Sequence, residues 1–321
     1  MEITPELKEK LALIQQKYDA IGQDFNAYLD GLLYQDTVKY WDYIAVDTLL
    51  SLQKPRTQFP DEVIFIMYHQ ITELYFKLAL REFEQIGNKE DLDAAFFTAR
   101  VTRINRYFEA LTKSFEIMIN GMEKEQFLKF RMSLLPASGF QSAQYRKIEM
   151  YSTDFINLVH KDVRNQYSGK EEIKDLYEHI YWKEGATELA SGAKTLTLIE
   201  FENRYSQEFI QLGESVRNKN LWQSYLRLNK EEQQDPEVIK ALKQNDINVN
   251  VNWPLVHYKS AVRYLQQDPS DIAATGGTNW QKYLPPRFQK RIFYPSIWSE
   301  TEIDNWGKSW VEDVLNIRIP D

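Results

Sequence analysis

Four histidines, His69, His160, His179 and His257, are the whole imidazole supply of this 321-residue chain, and it has no cysteine. Thiolate nucleophiles, disulfides, Fe–S clusters, cysteine zinc sites and thiolate-ligated haem are thereby excluded. A di-iron bundle needs Glu-x-x-His pairs on two helices. Here Ile66, Asn157, Leu176 and Pro254 stand three residues before the histidines, and none is acidic. Four scattered imidazoles do not make a histidine-rich metal cage either. A haem held by a single imidazole is the metal cofactor that this histidine count most easily allows.

Four segments carry residue types and spacings that could do chemistry. In FIMYHQITELYFK, His69 shares a helical face with Phe65 and Phe76. It reads either as a satisfied core histidine or as a neutral imidazole facing a flat substrate. In the segment from Glu125 to Arg146, Phe127, Arg131 and Leu134 fall at i, i+4 and i+7. A guanidinium inside that apolar stripe needs an anion, supplied by a structural carboxylate or by a substrate carboxylate clamped in bidentate fashion. In NWPLVHYKSAVRYL, Pro254 suits the first helical position after a cap at Asn252 or Trp253. Ser260, Ala261 and Tyr264 then share the face of His257, and the small pair leaves room for a planar macrocycle. An ordinary helix-start histidine is the plainer reading. Finally, Thr275 to Thr278 read TGGT, either a plain turn or a flap that grips a polar group. It is neither a Walker loop nor a dinucleotide fingerprint.

The elements that must position these residues are helices. Glycine is scarce, at 12 of 321, and long stretches lack both glycine and proline. Apolar periodicity predicts helices over about 4–21, 37–53, 61–86, 90–121, 123–135, 138–163, 170–182, 186–217 and 254–267. No alternating strand pattern or internal repeat stands out. The expectation is an all-α fold, a large helical bundle of long helices forming one domain over 1–321. The polar stretch 228–250 reads as a mobile segment. Net charge is −8 (39 basic against 47 acidic side chains), which argues against nucleic acid and against an anionic membrane as partner. The start, MEITPELKEK, lacks a signal-peptide pattern and no apolar run is long enough to span a bilayer, so a cytoplasmic protein is expected.

Taken in order, these segments resemble the tryptophan 2,3-dioxygenase family. The resemblance rests on DEVIFIMYHQITELYFK, on FR followed by SGFQSAQYRKIE, on YWDYIAVDTLLSLQ from Tyr40 to Gln53, and on a tryptophan four residues before His257 ahead of TGGT. The matching motifs lie in 40–78, 125–150 and 253–284. The resemblance implies a haem-dependent dioxygenase that adds O2 across the indole C2–C3 bond of L-tryptophan and yields N-formylkynurenine, as in tryptophan catabolism by the kynurenine pathway. It implies one haem b per subunit in a homotetramer. It makes His257 the proximal ligand and His69 the distal catalytic residue, bonded to the indole N–H. Arg131 would bind the substrate carboxylate and Thr275 its amino-acid end. Phe65, Phe127, Leu134 and Ser138 would line the pocket, and Gly139 would allow the cofactor's close approach. Tyr40 and Tyr43 would reach a neighbouring subunit's site, carried by N-terminal helices within 1–55.

The chain departs from the family pattern at Phe127 and Tyr75, where the family commonly has Tyr and Trp. It departs again at Pro254 and Ala274, which replace Arg and Gly. Those departures leave open a relative that oxidises a substituted tryptophan or another indole. A monooxygenase on the same scaffold and a non-catalytic helical bundle are the remaining readings.

Overall fold

The computed structural model describes residues 3–134, 139–187, 193–265 and 290–307. They are all-α: helices and 3₁₀ turns account for the regular structure, and the only extended pairings among them are isolated bridges, Val159 with Ile180 and Thr187 with Lys194. No helix among the described residues is long and apolar enough to cross a membrane. The chain divides into two compact units, Met1–Gln53 and Lys54–Asp321.

The first unit holds α1 (Pro5–Asp19), α2 (Phe25–Tyr34), α3 (Tyr40–Tyr43) and α4 (Val46–Leu50). Thr4 caps α1 and Asp24 caps α2 by accepting from the backbone N–H groups of Leu7 and Asn26. The single helix expected over 37–53 is two short ones, because Ala45 between them sits in the left-handed region at φ 50°. None of these four helices buries a side chain, and Leu33, Tyr40, Trp41 and Tyr43 are all exposed.

The second unit is built around α5 (Asp61–Asn88), which packs on α6 (Ala94–Ser114), α8 (Lys124–Phe130) and α9 (Ala143–Ser152). Tyr68, Thr72, Phe76, Ala79, Leu80, Phe83 and Ile86 form its buried stripe at helical spacing. Between α6 and α8 lies α7 (Glu116–Asn120). The helix expected over 138–163 stops at Ser152, where Thr153 turns extended and its hydroxyl donates to the Phe293 carbonyl. Beyond it come α10 (Lys161–Arg164), α11 (Ile173–Glu178) and α12 (Tyr181–Glu184); the last two split the helix expected over 170–182. Then α13 (Leu196–Val216) covers α9 and α11. The chain continues through α14 (Leu221–Arg227), α15 (Lys230–Gln233) and α16 (Pro236–Ile247) to a π turn at Asn248–Asn252 and α17 (Trp253–Leu265).

The stretch 228–250 is thus helical, where its polarity suggested a mobile segment. Asn229, Lys230, Glu231, Glu237 and Lys240 are exposed on it, but the polar side chains at its C-terminal end are used inside. Asn245, Asp246, Asn248 and Asn250 are each at most 2% exposed, and α16 packs on α6 through Val238, Ala241 and Leu242. Buried amides and carboxylates are tolerated only where they are hydrogen-bonded. Tyr294 donates to Asn245, and Asp246 collects donors from the 290–307 segment. Polarity therefore marks an exposed helical surface in the first half of the stretch and a buried network at its end.

The Asp61-Glu62 pair that opens α5 is architectural. Asp61 accepts from the Glu123 N–H and so ties the start of α8 to α5. Glu62, fully buried, accepts from the N–H groups of Arg56 and Thr57 at 2.8 Å on its two separate oxygens. Burial pushes its carboxyl up, but those hydrogen bonds outweigh burial and hold it below the usual range. The stability it carries is present above the unfolded value near pH 4 and is lost as pH falls through the folded one. Glu62→Gln keeps the shape but leaves one backbone donor without an oxygen, so urea unfolding at pH 7 should show a loss of about 1–3 kcal/mol.

Candidate active site

Two histidines from distant parts of the second unit meet on one aromatic array. His69 lies on α5 and His257 one turn into α17. The rings of Phe65, Phe127 and Phe130 stand 5.5–6.1 Å apart on the His69 side, and the Phe65 ring lies 4.1 Å from that of His69. On the other side, the Phe115 and Trp253 rings each approach His257 to 4.4 Å, and Phe115 meets Tyr68 at 5.5 Å. Tyr264, two turns after His257, closes the array against Phe127 at 4.6 Å. Tyrosine hydroxyls lock the helices in place. Tyr264 donates to the Ile119 carbonyl on α7, and Tyr68 to the Leu111 carbonyl on α6.

Both imidazoles are half-buried and held the same way. Nδ1 of His69 lies 2.7 Å from the Phe65 carbonyl, and Nδ1 of His257 lies 3.0 Å from the Trp253 carbonyl. A carbonyl oxygen can only accept, so each Nδ1 carries the proton and each Nε2 keeps its lone pair. Burial lowers both pKa values below the ordinary histidine range, that of His257 to about 4, and a charged His69 would depress His257 further. At neutral pH the site presents two neutral, acceptor-type nitrogens.

Arg131 directly follows Phe130 at the end of α8, where the chain tightens into a 3₁₀ turn over Arg131–Leu134. Only 7% of it is exposed, and burial lowers its pKa. Leu134 is partly buried against the same core. Arg131 is therefore carried into the interior by the two phenylalanines that contact Phe65, as its place in the apolar stripe suggested. Gly139 begins a short 3₁₀ turn, Gly139–Gln141, ahead of α9. Ser138 and Thr275, with the whole TGGT loop, lie outside the described residues. Tyr40 and Tyr43 are 73% and 81% exposed on α3.

The donor set fits a haem held by a single histidine. Among the described residues no group of three or more His, Asp or Glu side chains could hold a bare metal ion. His257 offers a neutral nitrogen with its other nitrogen engaged, the arrangement that orients a ligating imidazole. Ser260 and Ala261 follow on its face.

The cap expected at Asn252 or Trp253 is absent, because the helix runs through both residues. Phe115 had no signal in the sequence. It ends α6 with no motif around it, and only packing reveals its contact with His257. Within the SGFQSAQYR segment, Ser142 and Gln144 serve as scaffold. Ser142 caps α9, and Gln144 donates to the Glu73 carbonyl and carboxylate at 2.8 Å.

The low pKa of His257 has a sign that can be checked. The folded state holds this proton less tightly than the unfolded chain, so the stability it carries is present above about pH 6.5 and is lost as pH falls toward about 4. In the cofactor-free protein, urea midpoints should fall across that window. His257→Gln should flatten that part of the profile.

Known proteins resemble this chain over part of its length. A family model described as tryptophan 2,3-dioxygenase matches residues 32–242, a span that contains His69, Phe127 and Arg131 and stops short of His257. A tryptophan 2,3-dioxygenase of Shewanella woodyi is 30% identical over 56% of this chain and 61% of its own. One from a Ruegeria species is 36% identical over 39% of this chain and 46% of its own. "Tryptophan 2,3-dioxygenase 2" of Ralstonia nicotianae is 42% identical over 35% of this chain and 33% of its own. The aligned regions thus span about three fifths of the first relative's length and less than half of the other two. With about two thirds of its length inside the family model, the chain belongs to the tryptophan 2,3-dioxygenase family.

Proposed function

We propose that this chain is a haem-dependent dioxygenase that converts L-tryptophan and O2 into N-formylkynurenine. The observation that carries the reading is the pairing of His69 with His257, whose segments lie far apart in the chain, on one aromatic array. Family membership supports it through the three relatives, each named a tryptophan 2,3-dioxygenase. His257 itself enters on geometry, since the family match ends before it.

His257 would hold haem b through Nε2, and Gly139 would allow close approach. When bound, ferrous haem supplies the position that takes up and activates O2. The protein's share is orientation. Indole N–H is a donor only. His69 Nε2, left as an acceptor by the bond from Nδ1 to Phe65, is the complementary partner for it. Arg131 would clamp the carboxylate, a charge-assisted pair made stronger by the low exposure of the guanidinium. Thr275 would contact the same end, and Phe65, Phe127, Leu134 and Ser138 would line the ring pocket. With both ends fixed, the C2–C3 bond is presented to oxygen, and both atoms add across it as the ring opens. No strong base is required, because the indole carbon is already electron-rich. Neutral His69 suits a positioning role.

A homotetramer in the cytoplasm completes the reading. Its support is the first unit, whose helices bury nothing and whose Tyr40, Trp41 and Tyr43 are exposed. Such an apolar face suits a neighbouring subunit, whose site Tyr40 and Tyr43 would reach.

The reduced, haem-loaded protein with CO should show a haem Soret band that His257→Ala loses. Mass spectrometry with 18O2 should show two labelled atoms in the product of L-tryptophan. One atom would favour a monooxygenase, and no turnover of any indole would reject the enzyme. Arg131→Ala should lower kcat/KM by about 2–4 kcal/mol, roughly 30- to 1,000-fold.

A further inference from the structure

The helix that bears His257 is continuous with the one before it. Ile247, Asn248 and Trp253 all keep right-handed helical angles, so α16, the π turn and α17 run unbroken from Pro236 to Leu265. Pro254 lies inside this run. It has no N–H to donate, and its ring crowds the carbonyl four residues back, that of Asn250. A widened turn at that point relieves the crowding. Such a turn inserts one residue relative to a regular α-helix, which rotates everything beyond it by about 100°. The face on which His257 emerges therefore depends on this turn.

Hydrogen bonds from several elements hold the turn. Tyr145 of α9 donates its hydroxyl to the Val249 carbonyl at 3.0 Å. Asn250 donates its amide N–H to Asp246 at 2.6 Å and accepts from Nε of Arg291. Asn248 donates to the Asn105 carbonyl of α6 and accepts from Gln244 and Asn252. Arg291 also donates to the Tyr145 hydroxyl at 3.0 Å and pairs with Glu149 at 2.9 Å. Asp246 is fully buried and accepts from the N–H groups of Phe293 and Tyr294 and from the Trp298 indole. A plain helix-to-helix packing contact needs no such set of buried polar groups. An irregular turn with displaced carbonyls does.

We propose that Tyr145, Asn250 and Asp246 are positioning residues that hold the π turn and thereby aim the Nε2 of His257 toward its ligand. The inference rests on the haem reading of His257. The clamp acts through Trp253, whose backbone N–H closes the turn's C-terminal end by donating to the Asn248 carbonyl and whose own carbonyl receives the His257 Nδ1–H. Loosening the turn lets the helix beyond it rotate back, and the imidazole then leaves its array.

The test uses the full chain loaded with haem. Fe–His stretching bands in resonance Raman spectra and the rate of haem transfer to excess apomyoglobin are the readouts, with a thermal melt of each variant as control. Tyr145→Phe removes only the hydroxyl, and Asn250→Ala removes the link to Asp246. Each should shift or split the Fe–His band and speed haem loss about tenfold. Tyr225→Phe deletes a comparable hydrogen bond, to the Gln233 carbonyl at 2.9 Å, away from the turn. It should lower the melting temperature and leave both readouts unchanged. If one of the two clamp variants does not fold, the other decides. An unchanged band and transfer rate in a folded clamp variant would overturn the inference while His257→Ala still abolished the band. A Fe–His band that survived His257→Ala would overturn the haem reading itself, and this inference with it.

Discussion

The bond from a histidine Nδ1 to the carbonyl one helical turn earlier is the constraint on which the site depends. It occurs twice, at His69 and at His257. In each case it fixes the tautomer and the ring plane and leaves Nε2 with its lone pair. Two neutral nitrogens on one aromatic array can then play unlike parts. One is suited to a metal, the other to an N–H donor. Neither part would be open to an imidazolium, and burial keeps both rings uncharged at neutral pH.

The rest of the second unit works to keep those two helices apart by the right amount. Phenyl rings fill the space, while tyrosine hydroxyls reach backbone carbonyls across helix pairs. Aromatic side chains with one polar tip suit this task. They contribute large apolar area, and the hydroxyl supplies direction. This use accounts for part of the aromatic content, since Tyr68, Tyr145 and Tyr264 all spend their hydroxyls on carbonyls of neighbouring helices.

Much of this was legible in the residues alone. Helical period and scarce glycine indicated an all-α chain. The stripe through Phe127, Arg131 and Leu134 placed a guanidinium indoors, and the structure buries it. Breaks were harder to see. Ala45 and Thr153 interrupt helices without proline or glycine, and at Thr153 the cause is tertiary, since its hydroxyl donates to the Phe293 carbonyl. The opposite error occurred at Pro254, which reads as a helix start and in fact lies within a helix, since a π turn leaves no mark in composition. The stretch 228–250 misled for a related reason. A count of polar residues cannot tell a solvated surface from a buried network whose partners lie 40 or 50 residues away in the chain.

Trp253 sits with its ring 4.4 Å from that of His257. An indole so close to a proposed porphyrin ligand is a built-in optical gauge. Ultraviolet-excited emission from this one side chain would pass by energy transfer into a macrocycle docked on the imidazole and go dark. Uptake of the macrocycle could then be followed in real time, in dilute solution, with no added dye and no catalytic turnover.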